Sequence, residues 1–375
     1  MEDFFRTPLI KMPKNERRRA EKLFYDLCDV LETLKGKRNA VTKIFAPAKP
    51  VKGNRYSFSN GAEEFEIKEM IGKGANGAVF NGMFGTKLKV AIKVNKPKKV
   101  ALKTDAEEIA MQTRLYCHVR DHMSNSTRKI GHVSMATQVA KIPIPYFAVS
   151  MADKGRVIGM ERVDENLRKY VISLKTEKER IVALKDAFTR LAKLLYFLQT
   201  ELQFMHGDFH GENAMIRHSP YDVYLIDFGM SSLKLPDAEG RTITDTRYKR
   251  MKFNPYLDLL TLITSLREDL AMKGLLVSSR YCDQIISPFW DTVRAGLKGK
   301  RSHKYGTKHT IRTALGELSY SGEVYYAHHV LYQEAENIHY PACSPLGLLR
   351  ALDKIDMNPP KPIGYRERIF EDFDQ

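Results

Sequence analysis

The sequence predicts an α+β chain in two parts, a small antiparallel β-rich N-terminal lobe with one helix and a larger, mostly helical C-terminal lobe. Three observations predict it. Short apolar runs broken by Gly-containing turns crowd the stretch from Phe65 to Met160. A helical period follows over Asp186–Glu201, with Phe188, Leu191, Leu195, Leu198 and Leu202 along one side. Then two polar loops, Met205–Asn213 and Asp227–Gly229, bracket a hairpin and present polar groups from both its ends at one place.

The chain has 375 residues, enough for one large unit or two lobes, since domains usually hold roughly 100–200 residues. Its 61 Lys and Arg against 45 Asp and Glu leave a formal charge of +16. That balance favours acidic partners, whether ATP, nucleic acid, an anionic membrane surface or an acidic protein, without choosing among them. Cys28, Cys117, Cys282 and Cys343 form no CxxC pair, so a reducing, cytoplasmic compartment is expected. Met1-Glu2-Asp3 opens no signal peptide. No stretch approaches the ~20 apolar residues of a membrane span, and oligomeric state is not readable.

Residues 1–60 read as a basic arm, 61–163 as the N-terminal lobe and 164–375 as the C-terminal lobe with a divergent extension. In the arm, Asn15 can cap a helix from about Glu16 to Lys35 that Gly36 ends. Ala20, Leu23, Phe24, Leu27, Val30, Leu31 and Leu34 share one face, a stripe suited to docking on the host domain. Arg17, Arg18, Arg19 and Lys22 form a solvated basic face. The prolines and lysines of Ala46–Gly53 read as a linker.

Phe65–Ile71 reads as a strand, and Gly72-Lys73-Gly74-Ala75-Asn76-Gly77-Ala78-Val79 then fits GxGxxGxV. Such glycines let a backbone approach phosphate and offer it N–H groups. A dinucleotide turn would need a helix next. Here Ala78–Met83 reads as a second strand instead, and Lys87–Val94, holding Val90-Ala91-Ile92-Lys93, as a third. A helix is expected over Thr104–Arg120, capped by Thr104 or Asp105; Glu108 shares a face with Met111, Leu115 and Val119 and is the choice to pair Lys93, with Glu107 the runner-up. Ile142–Val149 and Arg156–Met160 read as two more strands, with Met160–Val163 connecting the lobes.

The chemistry concentrates in Met205-His206-Gly207-Asp208-Phe209-His210-Gly211-Glu212-Asn213 and Tyr224-Leu225-Ile226-Asp227-Phe228-Gly229. Between them, Ala214–Ile216 and Val223–Ile226 read as paired strands around a turn containing Ser219-Pro220. Phosphoryl transfer needs one carboxylate to orient the attacking hydroxyl, and an amide with another carboxylate to hold Mg²⁺. HxD alone is weak; HxDxxxxN followed by a strand-borne DFG is specific.

From about residue 65 to 265 the order GKGANGAV, VAIK, helix glutamate, HGDFHGEN, IDFG and Asp258 in NPYLDLLTL resembles the protein-kinase superfamily. The resemblance implies a bilobal kinase-like fold using ATP and Mg²⁺. On these positions it implies that Ile71, Gly72, Gly74, Gly77, Val79 and Ala91 cover the nucleotide. Lys93 holds its phosphates and Glu108 holds Lys93. Glu161 and Val163 meet the adenine edge through backbone groups. It also implies that Asp208 orients the hydroxyl, that Asn213 and Asp227 bind Mg²⁺, and that Asp258 anchors the loop from behind. His206 is then a buried support of the loop.

Departures qualify the acceptor. Ordinary protein kinases carry Arg at the position of Gly207, to pair an activation-loop phosphate, and tend to have Lys at that of His210. HGDxHxxN is similar to small-molecule kinases related to aminoglycoside phosphotransferases, and HGD with LIDFG to the atypical kinase of the KEOPS complex. No Ala-Pro-Glu stands between Asp227 and Asp258. The mixture is similar to divergent kinases of large DNA viruses, which would place the chain in a host cytoplasm or a virion. The expected activity is a serine/threonine protein kinase. A small-molecule kinase and a nucleotide-binding pseudokinase scaffold are the alternatives. Nucleic-acid binding has no motif behind it. Lys298–Lys304, with Lys308 and Arg312, reads as a solvated loop. His328, His329, His339 and Cys343 fit no tight zinc spacing.

Overall fold

The computed structural model describes residues 14–33, 45–58, 64–73, 77–95, 101–123, 129–130, 133–134, 139–152, 155–236, 242–246, 253, 255–297 and 344–355. The chain is mixed α+β, with seven α-helices among the described residues. It divides into two compact units, one of residues 1–127, 142–164 and 226–229, the other of residues 128–141, 165–225 and 230–375. Gly74 and the basic and histidine-containing stretch from Lys298 to Cys343 lie outside the described residues.

The first unit contains α1 (Lys14–Thr33), β1 (Ala46–Lys52), β2 (Arg55–Phe58), β3 (Glu64–Lys73), β4 (Gly77–Phe84), β5 (Leu88–Asn95), α2 (Ala101–His118), β6 (Pro145–Met151) and β7 (Gly155–Glu161). The strands close into a barrel in the order β1-β2-β3-β4-β5-β7-β6. Every pairing is antiparallel except the closing one, where Ala46–Ala48 of β1 runs parallel to Val149–Met151 of β6. The expected purely antiparallel layer is thus corrected to a closed barrel with one parallel seam, and the expected linker at 46–53 to a strand. Pro50 is tolerated because it lies beyond the three-residue parallel ladder, and a register shift follows it.

The barrel interior is filled by rings. Phe147 packs on Phe58, Phe65 and Phe84 with centroids 5.0–5.9 Å apart, and Tyr56 stacks on Phe65. Gly159 makes this possible: a Cβ there would stand 2.2 Å from the Phe147 ring. Outside the barrel, Leu27 of α1 joins Phe45, Ala106, Ile109, Ala110, Ala148 and Ile158 in one buried cluster. Phe24 meets Tyr116 edge-on at 5.3 Å. Phe24 and Leu27 of α1 are therefore docked, each contributing about 1.5–3 kcal/mol, while Arg18 and Lys22 stay exposed. The unit holds the helix expected in the arm together with the one expected in the lobe. α2 starts at Ala101, so neither Thr104 nor Asp105 caps it; Asp105 sits one turn inside, buried against Arg156 of β7.

The second unit contains β8 (Glu165–Asn166), α3 (Leu167–Ser173), α4 (Glu177–Leu202), β9 (Ala214–His218), β10 (Tyr221–Leu225), β11 (Ser232–Pro236), β12 (Thr242–Thr246), α5 (Leu257–Met272), α6 (Leu276–Leu297) and α7 (Pro345–Leu352). A short ladder also joins Lys129–Ile130 to Val133–Ser134. β8-β9-β10 form one sheet and β11-β12 another. α4 begins earlier than its apolar stripe because Thr176 caps it, accepting from the Glu179 N–H while Glu179 accepts from the Thr176 N–H. Phe188, Leu191, Leu195, Leu198 and Leu202 are all buried. Ser231 is buried and donates to the His206 carbonyl, and Ser232 pairs with Met205 through two 2.8 Å backbone bonds.

Candidate functional site

Within the first unit, antiparallel register sets Lys93 of β5 opposite Val79 of β4 and Ile158 of β7. Its Nζ lies 2.5 Å from Glu108 Oε1 and 3.6 Å from Asp227 Oδ1. Three segments far apart in sequence thus meet at one ammonium group, and the helix glutamate is Glu108 rather than Glu107. Burial opposes the Lys93 charge, but the Glu108 and Asp227 carboxylates more than offset it and raise its pKa.

Glu108 is held by its neighbours on α2. One turn before it, Asp105 accepts from Arg156 in a buried pair; one turn after it, Gln112 Nε2 donates to the Pro143 carbonyl at 3.0 Å. Asp105, Glu108 and Gln112 follow i, i+3, i+7, one face of the helix. In the sequence only this spacing marks the polar stripe, which alternates with the apolar residues of α2.

Asp227 adopts left-handed backbone, φ +61°, and its Oδ1 accepts from the Gly229 N–H at 3.4 Å. The next residue, Phe228, is buried. Of the glycine loop, Gly72 pairs with Val79 across β3 and β4 and has room for a Cβ. Gly77 does not: a Cβ there would stand 2.2 Å from the Val94 carbonyl, so strand packing already demands this glycine. Ile71 is exposed, and Val79 and Ala91 are half-buried. At the end of β7, Glu161 turns its carboxylate inward to the Ile144 N–H at 3.1 Å, and Val163 is buried.

Within the second unit, one buried carboxylate organises the loop. Asp258, at the start of α5, accepts from the His206 N–H at 2.9 Å and the Gly207 N–H at 3.0 Å. Burial raises its pKa against the pull of His206 and those two donors. His206 is fully buried, tilted against Phe209 at 5.3 Å, and its Nδ1 accepts from the Asp208 N–H. Gly207 has φ +78°, and a Cβ on it would stand 2.6 Å from the Met230 carbonyl. The backbone itself excludes an arginine there.

Farther along, Asn213 Nδ2 donates to the Asp208 carbonyl at 2.7 Å and lies 3.3 Å from His210 Nε2. His210 Nε2 is 3.9 Å from Asp208 Oδ2. Gly211 donates to Ser265 Oγ and accepts from the Arg168 N–H, pinning the loop to α5 and α3. Asp208, His210 and Asn213 are therefore one cluster, with the Asp208 carboxylate turned to solvent. Arg168 and Ser265 are supports that no motif marks.

Residues 150–239 match the model of a phosphotransferase enzyme family (APH). The match takes in the loop from His206 to Asn213 and Asp227–Gly229, and it leaves out Lys93 and Glu108. No curated protein matches the chain. No helix among the described residues is long and apolar enough to cross a membrane.

Proposed function

We propose that the chain is an ATP- and Mg²⁺-dependent phosphotransferase acting on serine or threonine hydroxyls of a protein. The grouping of Glu108, Lys93 and Asp227 is the observation that carries it, since three motifs converge on one cation suited to phosphate oxygens. The donors fit a hard cation. Asp227 supplies a carboxylate, and Asn213, with its nitrogen committed to the Asp208 carbonyl, supplies an amide oxygen. Mg²⁺ held by such donors would supply neutralisation of charge developing on the phosphate oxygens. Lys93 binds the phosphates, Glu108 keeps Lys93 in place, and Asp208 accepts the proton of the attacking hydroxyl.

The +16 charge supports an acidic protein acceptor over a polycationic small molecule, which it would repel. One observation favours a second reading. The APH match over residues 150–239, with HGDFH inside it, supports a small-molecule alcohol as acceptor. Incubation with γ-labelled ATP, Mg²⁺ and a panel of proteins, sugars and nucleosides separates the readings. Phosphoserine or phosphothreonine on protein is expected. Label on small molecules alone selects the second reading, and nucleotide binding without transfer to anything selects a pseudokinase.

A further inference from the structure

Cys28 and Cys117 are 89 positions apart in sequence, and their Sγ atoms are 3.6 Å apart in the first unit. Cys28 lies on α1 and Cys117 on the last turn of α2; both are reduced and half-buried, within reach of a small reagent. Phe24 and Tyr116, each adjacent to this pair on its helix, lock the same two helices together. The Arg120 guanidinium lies 5.7 Å over the Phe24 ring and favours negative charge at both sulfurs.

We infer that Cys28 and Cys117 form an oxidisable dithiol that takes a low-molecular-weight disulfide such as glutathione disulfide, and that the resulting bond tethers α1 to the helix carrying Glu108. Cys117 thiolate attacks one sulfur of glutathione disulfide; that S–S bond breaks, and one glutathione thiolate leaves and takes up a proton. Cys28 then loses its proton and attacks Cys117 Sγ, forming the Sγ–Sγ bond and releasing the second glutathione. The two cysteines lose two electrons and the glutathione disulfide gains them. Cys117, at the end of α2, opens the exchange, and Cys28 on α1, 3.6 Å away, resolves it.

Because Glu108 rides on α2 and reaches Lys93, the tether holds that ion pair. Any effect on phosphate transfer rests on the function proposed above; formation of the bond and stiffening of the helix do not. The full-length protein, treated with glutathione disulfide without denaturant, is digested and mapped by mass spectrometry, and its hydrogen exchange is followed. A cross-linked peptide pair containing Cys28 and Cys117 is expected, with amide exchange over residues 101–118 slowed by roughly tenfold or more. Cys28→Ser, which keeps a small polar side chain, should stop at a glutathione adduct on Cys117. Equal alkylation of both thiols before and after oxidation, or bridges to other cysteines instead, would overturn the site. A cross-link that leaves exchange over 101–118 unchanged would overturn the tether.

Discussion

Single carboxylates carry the sharpest expectations. Asp227→Ala removes a charge from beside Lys93, and in a closed site one such group is worth ~10²–10³ in rate. Transfer of labelled γ-phosphate should fall by that order, with the far-ultraviolet circular dichroism unchanged; a parental rate would remove Asp227 from the site. Asp258 works differently, through the backbone. Asp258→Ala strands the His206 and Gly207 N–H groups inside the protein, a loss of at least about 2 kcal/mol readable as a lowered urea midpoint. Its ionisation also has a signed pH effect. With the folded pKa raised above the unfolded one, the stability that the protonated carboxyl contributes is fully present below the unfolded pKa. It is lost as pH rises through the folded pKa. The stability gap between the parent and Asp258→Asn should therefore shift in the variant's favour as pH climbs out of the acid range. A gap that stays flat with pH would show that Asp258 has the same pKa folded and unfolded.

At the scale of elements, β11 and β12 bear on regulation. The hairpin is tied to the loop by the Met205–Ser232 pair and by Ser231, with no phosphate needed, and the backbone at Gly207 leaves no room for the arginine that would read one. Phosphatase treatment should leave transfer unchanged, even with Thr242, Thr244 or Thr246 on β12 modified beforehand. Activity that disappears on dephosphorylation and returns on rephosphorylation in this hairpin would contradict that. α4 gives a stability prediction: Thr176→Ala removes its cap and should cost about 1 kcal/mol in urea unfolding.

These elements also show what the sequence could and could not say. β3, β4, β5, β9 and β10 were legible because alternation and turn residues act locally. Lys93, Asp208, Asn213 and Asp227 stand out in the sequence as local patterns, VAIK, HxDxxxxN and DFG, and the structure brings Lys93 to Asp227 and Asn213 to Asp208. Glu108 was preferred over Glu107 because it shares a helical face with Met111, Leu115 and Val119, and packing against Arg156 and Pro143 sets that rotation. β1 was misread because its prolines and lysines resemble a spacer, although Gly53-Asn54 turns it directly into its antiparallel partner β2. Gly77 was read as a phosphate contact, and the Val94 carbonyl supplies a second, purely structural reason for it.

The whole molecule carries the charge argument. A protein with +16 attracts an acidic acceptor from a distance, and exposed charges are screened beyond ~8 Å at physiological ionic strength. The apparent KM for an acidic protein acceptor should rise with added salt, while kcat stays nearly constant. A KM indifferent to salt would remove steering from the account.

The parallel seam of the barrel has a consequence for biosynthesis. β1 is among the first strands to leave the ribosome, yet it has no closing partner until Val149–Met151 follows it, and Asp227 arrives later still. Until then β1 and β2 present an open edge able to pair with any other extended chain. The first unit cannot close as it emerges; its barrel waits until β6 and β7 have been translated. A nascent chain stalled near residue 130 should stay protease-sensitive and bind chaperones, and one stalled beyond the end of β7 should become resistant from β1 through β6.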